Sequence, residues 1–188
     1  MLHNLLLEAQ NILLQNLWIA PLLVLLVLAV VTDITQRKIP NVLIMVGLVA
    51  AFIGQLFLAG GQGWQAWLFG MLAGFAAFLP LYLLRGMAAG DVKLMATVGA
   101  FVGWGMALQI ALVSFVFGGV LGILYIVGKG RVLQAWHNIC LIIMPLVMRV
   151  TGVSIGATDI SSQSVGSLPY AIAIALGSLT VLYNQYWY

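Results

Sequence analysis

Two residues in this chain have the type and placement to do chemistry. The acidic inventory of 188 residues is only four side chains, Glu8, Asp33, Asp91 and Asp159. Asp33 closes one apolar run and Asp91 opens another, on the same expected side of a membrane. An ionisable group at the edge of an apolar span is costly and is a functional candidate by default. Two carboxylates sharing one proton can activate a water for attack on a peptide carbonyl and then protonate the leaving amine. Their mutual repulsion separates the two pKa values, so that one serves as base and the other as acid. Taken singly, each has a simpler reading. Asp33 could pair with Arg37 four residues on, and Asp91 could cap a helix beginning at Val92. Glu8 lies on the polar stripe of a leading helix and Asp159 in a polar loop, where both are expected to be solvated.

The elements that must position the pair are set by composition. Apolar residues make up 64% of the chain and charged residues 6%, with a mean hydropathy of +1.16. A soluble domain carries about 25% charged residues, so the bilayer is the solvent and the class is all-α, polytopic membrane protein. Each span needs about 20 apolar residues. Six are expected, near Leu17–Thr32, Val42–Ala59, Gln65–Leu84, Val92–Gly105, Met106–Val127 and Leu168–Tyr186. The fourth is short, about 21 Å of helix at 1.5 Å per residue. Gly60-Gly61-Gln62-Gly63 and Gly103-Trp104-Gly105 read as uncharged tight turns.

Before the first span, Asn4, Glu8, Asn11 and Gln15 recur at helical spacing opposite Leu2, Leu6, Ala9 and Leu13. That pattern predicts an amphipathic interfacial helix over 1–16. The chain then reads as one membrane-embedded domain: five spans over 17–127, a long loop over 128–166, and a last span over 167–188. Within the loop, Ile139–Met148 is apolar but interrupted by Pro145 and closed by Arg149. Ten residues are too few to cross, so an interfacial or re-entrant helix is expected there.

The basic residues fix the orientation. With six spans, Arg37, Lys38, Arg85, Lys93, Lys129, Arg131 and Arg149 all fall on one side, accounting for every one of the 7 basic residues. The positive-inside rule makes that side cytoplasmic and puts both termini outside. A net charge of +3, scattered in this way, does not make a nucleic-acid surface. The single Cys140 excludes a disulfide framework and a cysteine-rich zinc site. His3 and His137 fall on opposite sides and so do not form a metal pair.

Several residues near the aspartates have both a functional and an ordinary reading. Gly90 can let the backbone turn so that Asp91 points inward, or it is a loop glycine. Lys93, two residues on, can hold a carboxylate ionised or meet an acidic group on a substrate; alternatively it snorkels to the interface. Pro40 fits a helix start and Asn41 a polar cap, and both shape the loop after Asp33. Arg37 and Lys38 are expected to be topology markers. The small residues of Gly70–Ala77 and Gly118–Gly122 suit close helix packing.

The segment Asp33-Ile-Thr-Gln-Arg-Lys-Ile39-Pro40-Asn41 resembles the first signature of the type IV prepilin peptidases, an aspartate followed six residues later by Ile-Pro and usually Asn. Ala88-Ala89-Gly90-Asp91-Val92-Lys93 resembles their second, Gly-x-Gly-Asp-x-Lys, with Ala88 where the family usually has Gly. Leu168-Pro169-Tyr170-Ala171-Ile172-Ala173 is similar to the proline-aromatic start of that family's last span. The resemblance implies an intramembrane aspartyl endopeptidase of the bacterial cytoplasmic membrane, with Asp33 and Asp91 as the catalytic pair at the cytoplasmic face. It implies removal of the leader from single-pass prepilin or pseudopilin substrates, and no metal or organic cofactor. The chain lacks the cysteine-bearing domain of longer members that also N-methylate the product. It is similar instead to the short form associated with tight-adherence pili, so methyltransferase activity is not implied.

Other classes compete for the same features. Proteases of the signal-peptide-peptidase or presenilin type share a Gly-x-Gly-Asp element but carry the first aspartate in a Tyr-Asp pair, where this chain has Thr32-Asp33. A proton-coupled transporter also uses membrane carboxylates, usually near the midplane among broken helices. A non-catalytic assembly subunit needs no carboxylate pair.

Overall fold

A computed structural model describes residues 2–59, 63–84, 86–128 and 169–187. The described residues form six helices and no strand: α1 (Leu2–Gln36), α2 (Asn41–Ala59), α3 (Gly63–Leu83), α4 (Ala89–Val102), α5 (Trp104–Gly128) and α6 (Ala171–Trp187). The windows Ile19–Gln36, Gly63–Leu83 and Trp104–Tyr125 are long and apolar enough to cross a membrane, while Asn41–Phe57 and Ala171–Gln185 are shorter apolar stretches. By length and composition this is an all-α membrane protein. The interfacial helix expected within 128–166 lies outside the described residues, as do the turn residues Gly60, Gly61 and Gln62, and Arg85, Lys129, Arg131, His137, Cys140, Arg149 and Asp159.

The leading segment and the first span, expected as two helices, are one continuous helix of 35 residues. Its inner face is carried by Leu22, Leu25, Leu26 and Ala29, all buried. Their i, i+3, i+4, i+7 spacing makes a single stripe, and Asp33 continues it one turn further. The helix ends where Arg37 enters the left-handed region at φ 52°, its N–H donating to the Asp33 carbonyl at 3.0 Å. Pro40 then starts α2, its carbonyl accepting the first helical bonds from Leu43 and Ile44 at 3.1 and 3.4 Å. A proline suits this place because its missing N–H would have no partner in a first turn.

The chain divides into two compact units, Met1–Gly118 with Pro169–Tyr188, and Gly119–Leu168. Of the second, the described part is the end of α5, through Gly128. The first is organised around α4, which packs against α1, α2, α3 and α6. All of its residues from Val92 to Phe101 are buried except Lys93. A helix of 14 residues buried this completely from Val92 onward is central to its unit.

Close packing of α3 on α4 depends on backbone meeting backbone. A methyl placed on Gly70 would collide with the Gly99 carbonyl, one on Gly99 with the Gly70 carbonyl, and one on Gly74 with the Met95 carbonyl. In lipid, helix association rests on such van der Waals contact rather than on release of water. The far end of α4 stops at Gly103, whose φ of 81° is available to glycine without strain. The tight turn expected over Gly103-Trp104-Gly105 is thus a break at Gly103 alone, with Trp104 already in α5. Near this break the buried Gln55 donates its side-chain N–H to the Phe101 carbonyl at 2.6 Å. Helix-end carbonyls lack an internal partner, and α2 supplies one here.

Candidate active site

Asp33 and Asp91 reach the same region from opposite directions along the chain. Asp33 sits in the last turn of α1, on the inward stripe. Asp91 sits in the first turn of α4, the central helix. Both carboxylates are taken out of solvent, at 7% and 5% exposure respectively. They lie close enough for the charge of Asp33 to act on Asp91.

Each carboxylate has one backbone donor. The Oδ2 of Asp33 accepts from the Ala171 N–H at 3.1 Å. The Oδ2 of Asp91 accepts from the Ala88 N–H at 3.3 Å, and the Asp91 N–H donates to the Ala88 carbonyl at 3.1 Å. Asp91 therefore does act as a cap. The helix starts at Ala89, earlier than the expected Val92, and Asp91 reaches back from its first turn as in half of a capping box. The cap engages one carboxylate oxygen, and the charge of Asp33 still acts on Asp91. Likewise Arg37 acts electrostatically on Asp33 from the next turn, without displacing it from the interior.

Asp91 precedes the apolar stretch from Val92. Burial, and then the charge of Asp33, push its carboxyl up to about 7, against the Ala88 N–H, which favours the ionised form. Two buried carboxylates whose charges act on each other resist ionising together, which favours the singly protonated pair over the doubly ionised one. The singly protonated pair is the state able to take a proton from water and deliver another to a leaving group.

The remaining expected residues divide. Lys93 does not face Asp91, since positions i and i+2 point to different sides of a helix. It is the one exposed position in the buried stretch of α4, and its Nζ donates to Asn41 Oδ1 at 3.0 Å. Asn41, expected as a polar cap, spends its side-chain oxygen on this bond, which ties the start of α2 to α4. Gly90 is helical and has no positive φ. A methyl there would meet Ile39 at an ordinary 3.5 Å. The turn that aims Asp91 inward therefore does not depend on glycine; the helical register does that.

Ala171 and Tyr170 were singled out in the sequence only as part of a span start, with no role at the site. Ala171 acts through its backbone, which no side-chain pattern reveals. Tyr170 lies near enough to feel the charge of Asp91, packs edge-on against Phe78 at 5.8 Å, and donates its hydroxyl to the Ser114 carbonyl at 3.3 Å. The visible signal was Pro169, which marks a helix start and hence a set of free N–H groups.

Residues 20–123 match the family model described as the type IV leader peptidase family. The match contains both aspartates, the whole of α2, α3 and α4, and parts of α1 and α5. This chain belongs to the type IV leader peptidase family. It is accordingly a membrane-embedded peptidase, and the buried carboxylate pair is the candidate centre of that peptidase. The segment from Pro169, which supplies the donor to Asp33, lies beyond the matched residues. No curated protein and no solved structure matches the chain.

Proposed function

We propose that this leader peptidase is an aspartyl endopeptidase, cutting the leader from prepilin-type single-pass proteins at the cytoplasmic face of the bacterial inner membrane. The observation that carries the proposal is the pair Asp33 and Asp91, both buried, on separate helices and near enough for the charge of Asp33 to act on Asp91. An attacking water between them is activated by the ionised carboxylate. The protonated partner then supplies the leaving amine with its proton, and the pair returns to a single shared proton. A helical peptide bond hides its carbonyl, so the substrate must unwind beside the pair. The orientation follows from six spans with every basic residue on one side. Lys93 and Asn41, with Pro40 before them, brace the α1–α2 connection against α4, and Gly90 leaves the space over Ile39 unfilled.

The test is cleavage of a synthetic peptide with a short basic leader ahead of an apolar segment, by purified protein in lipid nanodiscs. Asp33→Asn and Asp91→Asn are each expected to lower kcat/KM by about 10²-fold or more, because an amide neither takes nor releases the proton. Their thermal unfolding should stay cooperative. Near-normal turnover in either variant sinks the carboxylate pair as the catalytic group.

A further inference from the structure

We infer that the turn Pro169–Ala171 is a positioning element for the carboxylate pair: Tyr170, laid on the α5 backbone at Gly118, fixes the Ala171 N–H that orients Asp33. The inference rests on the peptidase reading above and deepens it.

The geometry begins with the start of α6. The Ile174 N–H donates to the Tyr170 carbonyl at 3.2 Å, which makes Tyr170 the capping residue and Ala171 the first residue of the helix. The first N–H groups of a helix have no partner within it. That of Ala171 is buried and goes to Asp33. This donor comes from a peptide plane, so it can be aimed only by fixing the turn before it. Pro169 fixes one backbone angle of that turn.

Tyr170 fixes the rest. Its ring lies so close to Gly118 that the three atoms nearest to a methyl added there would all belong to Tyr170. The absence of a side chain at Gly118 is therefore what lets the ring rest on α5. From that seat the hydroxyl reaches the Ser114 carbonyl, one turn earlier. On its edge the ring meets Phe78 of α3, which is itself stacked on Phe115 at 4.8 Å. Three contacts from two helices thus hold one phenol whose neighbouring peptide N–H is bonded to Asp33. Tyr170 is a positioning residue and acts through Ala171.

The test uses the full chain in nanodiscs with the same peptide, comparing Tyr170→Phe, Tyr170→Leu, Gly118→Ala and the double variant Gly118→Ala/Tyr170→Leu. Gly118→Ala and Tyr170→Leu should each lower kcat about tenfold or more while KM stays within about twofold, since a misaimed group costs turnover rather than binding. Tyr170→Phe, which keeps the ring, should lose less than Tyr170→Leu. The double variant should be no worse than Tyr170→Leu alone, because both changes act through one contact. Hydrogen exchange at the first turn of α6 should quicken in Gly118→Ala and Tyr170→Leu. Unchanged exchange there overturns the inference, as does additivity of the two changes or a loss confined to KM. If Tyr170→Leu does not fold, Gly118→Ala against the wild type decides by the same two readouts. If the wild type cleaves nothing, the peptidase reading fails by itself and the exchange measurement still decides the positioning contact.

Discussion

The Asp33 carboxylate is held by the Ala171 N–H, 138 positions away, at 3.1 Å. One half of the carboxylate pair is thereby oriented by the last helix of the chain, while the other half, Asp91, is oriented by the turn it caps itself.

Asymmetry of this kind should show in the pH dependence of turnover. With the Asp91 carboxyl pushed up to about 7 by burial and by Asp33, the singly protonated pair is lost as pH rises through that value. We expect a bell-shaped kcat/KM profile with an alkaline limb near neutrality. A profile that stays flat to about pH 9 would contradict a shared proton.

Stability should carry the same signature with a definite sign. Asp91 is raised from 3.8 to about 7 on folding, so the folded protein binds its proton more tightly than the unfolded chain does. Its contribution to stability is favourable at low pH and falls as pH rises from about 4 through about 7. Asp91→Asn removes that loss. The variant's unfolding temperature, relative to wild type, should therefore be higher at pH 8 than at pH 5. The opposite order would show that ionised Asp91 is stabilised by the fold.

Lys93 and Asn41 should behave as one unit. Lys93→Met and Asn41→Ala each remove the same exposed contact, worth about 0.2–1 kcal/mol by analogy with exposed charged pairs. Each should lower kcat/KM modestly, without abolishing cleavage, and the double variant should be no worse than the more affected single. Full additivity in a double-mutant cycle would separate the two residues.

The interface between α3 and α4 should tolerate no side chain. Gly99→Val or Gly70→Val forces the two backbones apart, at a cost of about 1–3 kcal/mol for overpacking. Thermal unfolding in detergent should register the loss. Gly105→Ala, where no atom lies within reach of an added methyl, is the control expected to unfold near the wild-type temperature.

Topology is accessible by labelling. In a Cys140→Ser background, cysteines at Gln62 and Gln185 should react with an impermeant reagent from outside. One at Arg131 should react only after permeabilisation. External labelling at Arg131 would overturn the six-span arrangement.

Much of this protein is written in the sequence because membranes make composition decisive. The six helices of the described residues, and the placement of Asp33 and Asp91 at helix ends, follow from apolar runs and from the cost of charge near lipid. The inward aim of Asp33 was not legible, because every residue from Leu22 to Val31 is apolar and the stripe Leu22, Leu25, Leu26 and Ala29 is set apart only by its burial. Other features were decided only by tertiary packing. That Lys93 serves Asn41 rather than Asp91 depends on which way α4 turns its one exposed position. That Gly70 and Gly99 touch depends on the register of two helices, and that Ala171 holds Asp33 depends on where α6 begins against α1. Periodicity fixes a buried face only where polar and apolar residues alternate along a helix, and in these spans they do not. It carries no information on which distant backbone N–H that face will meet.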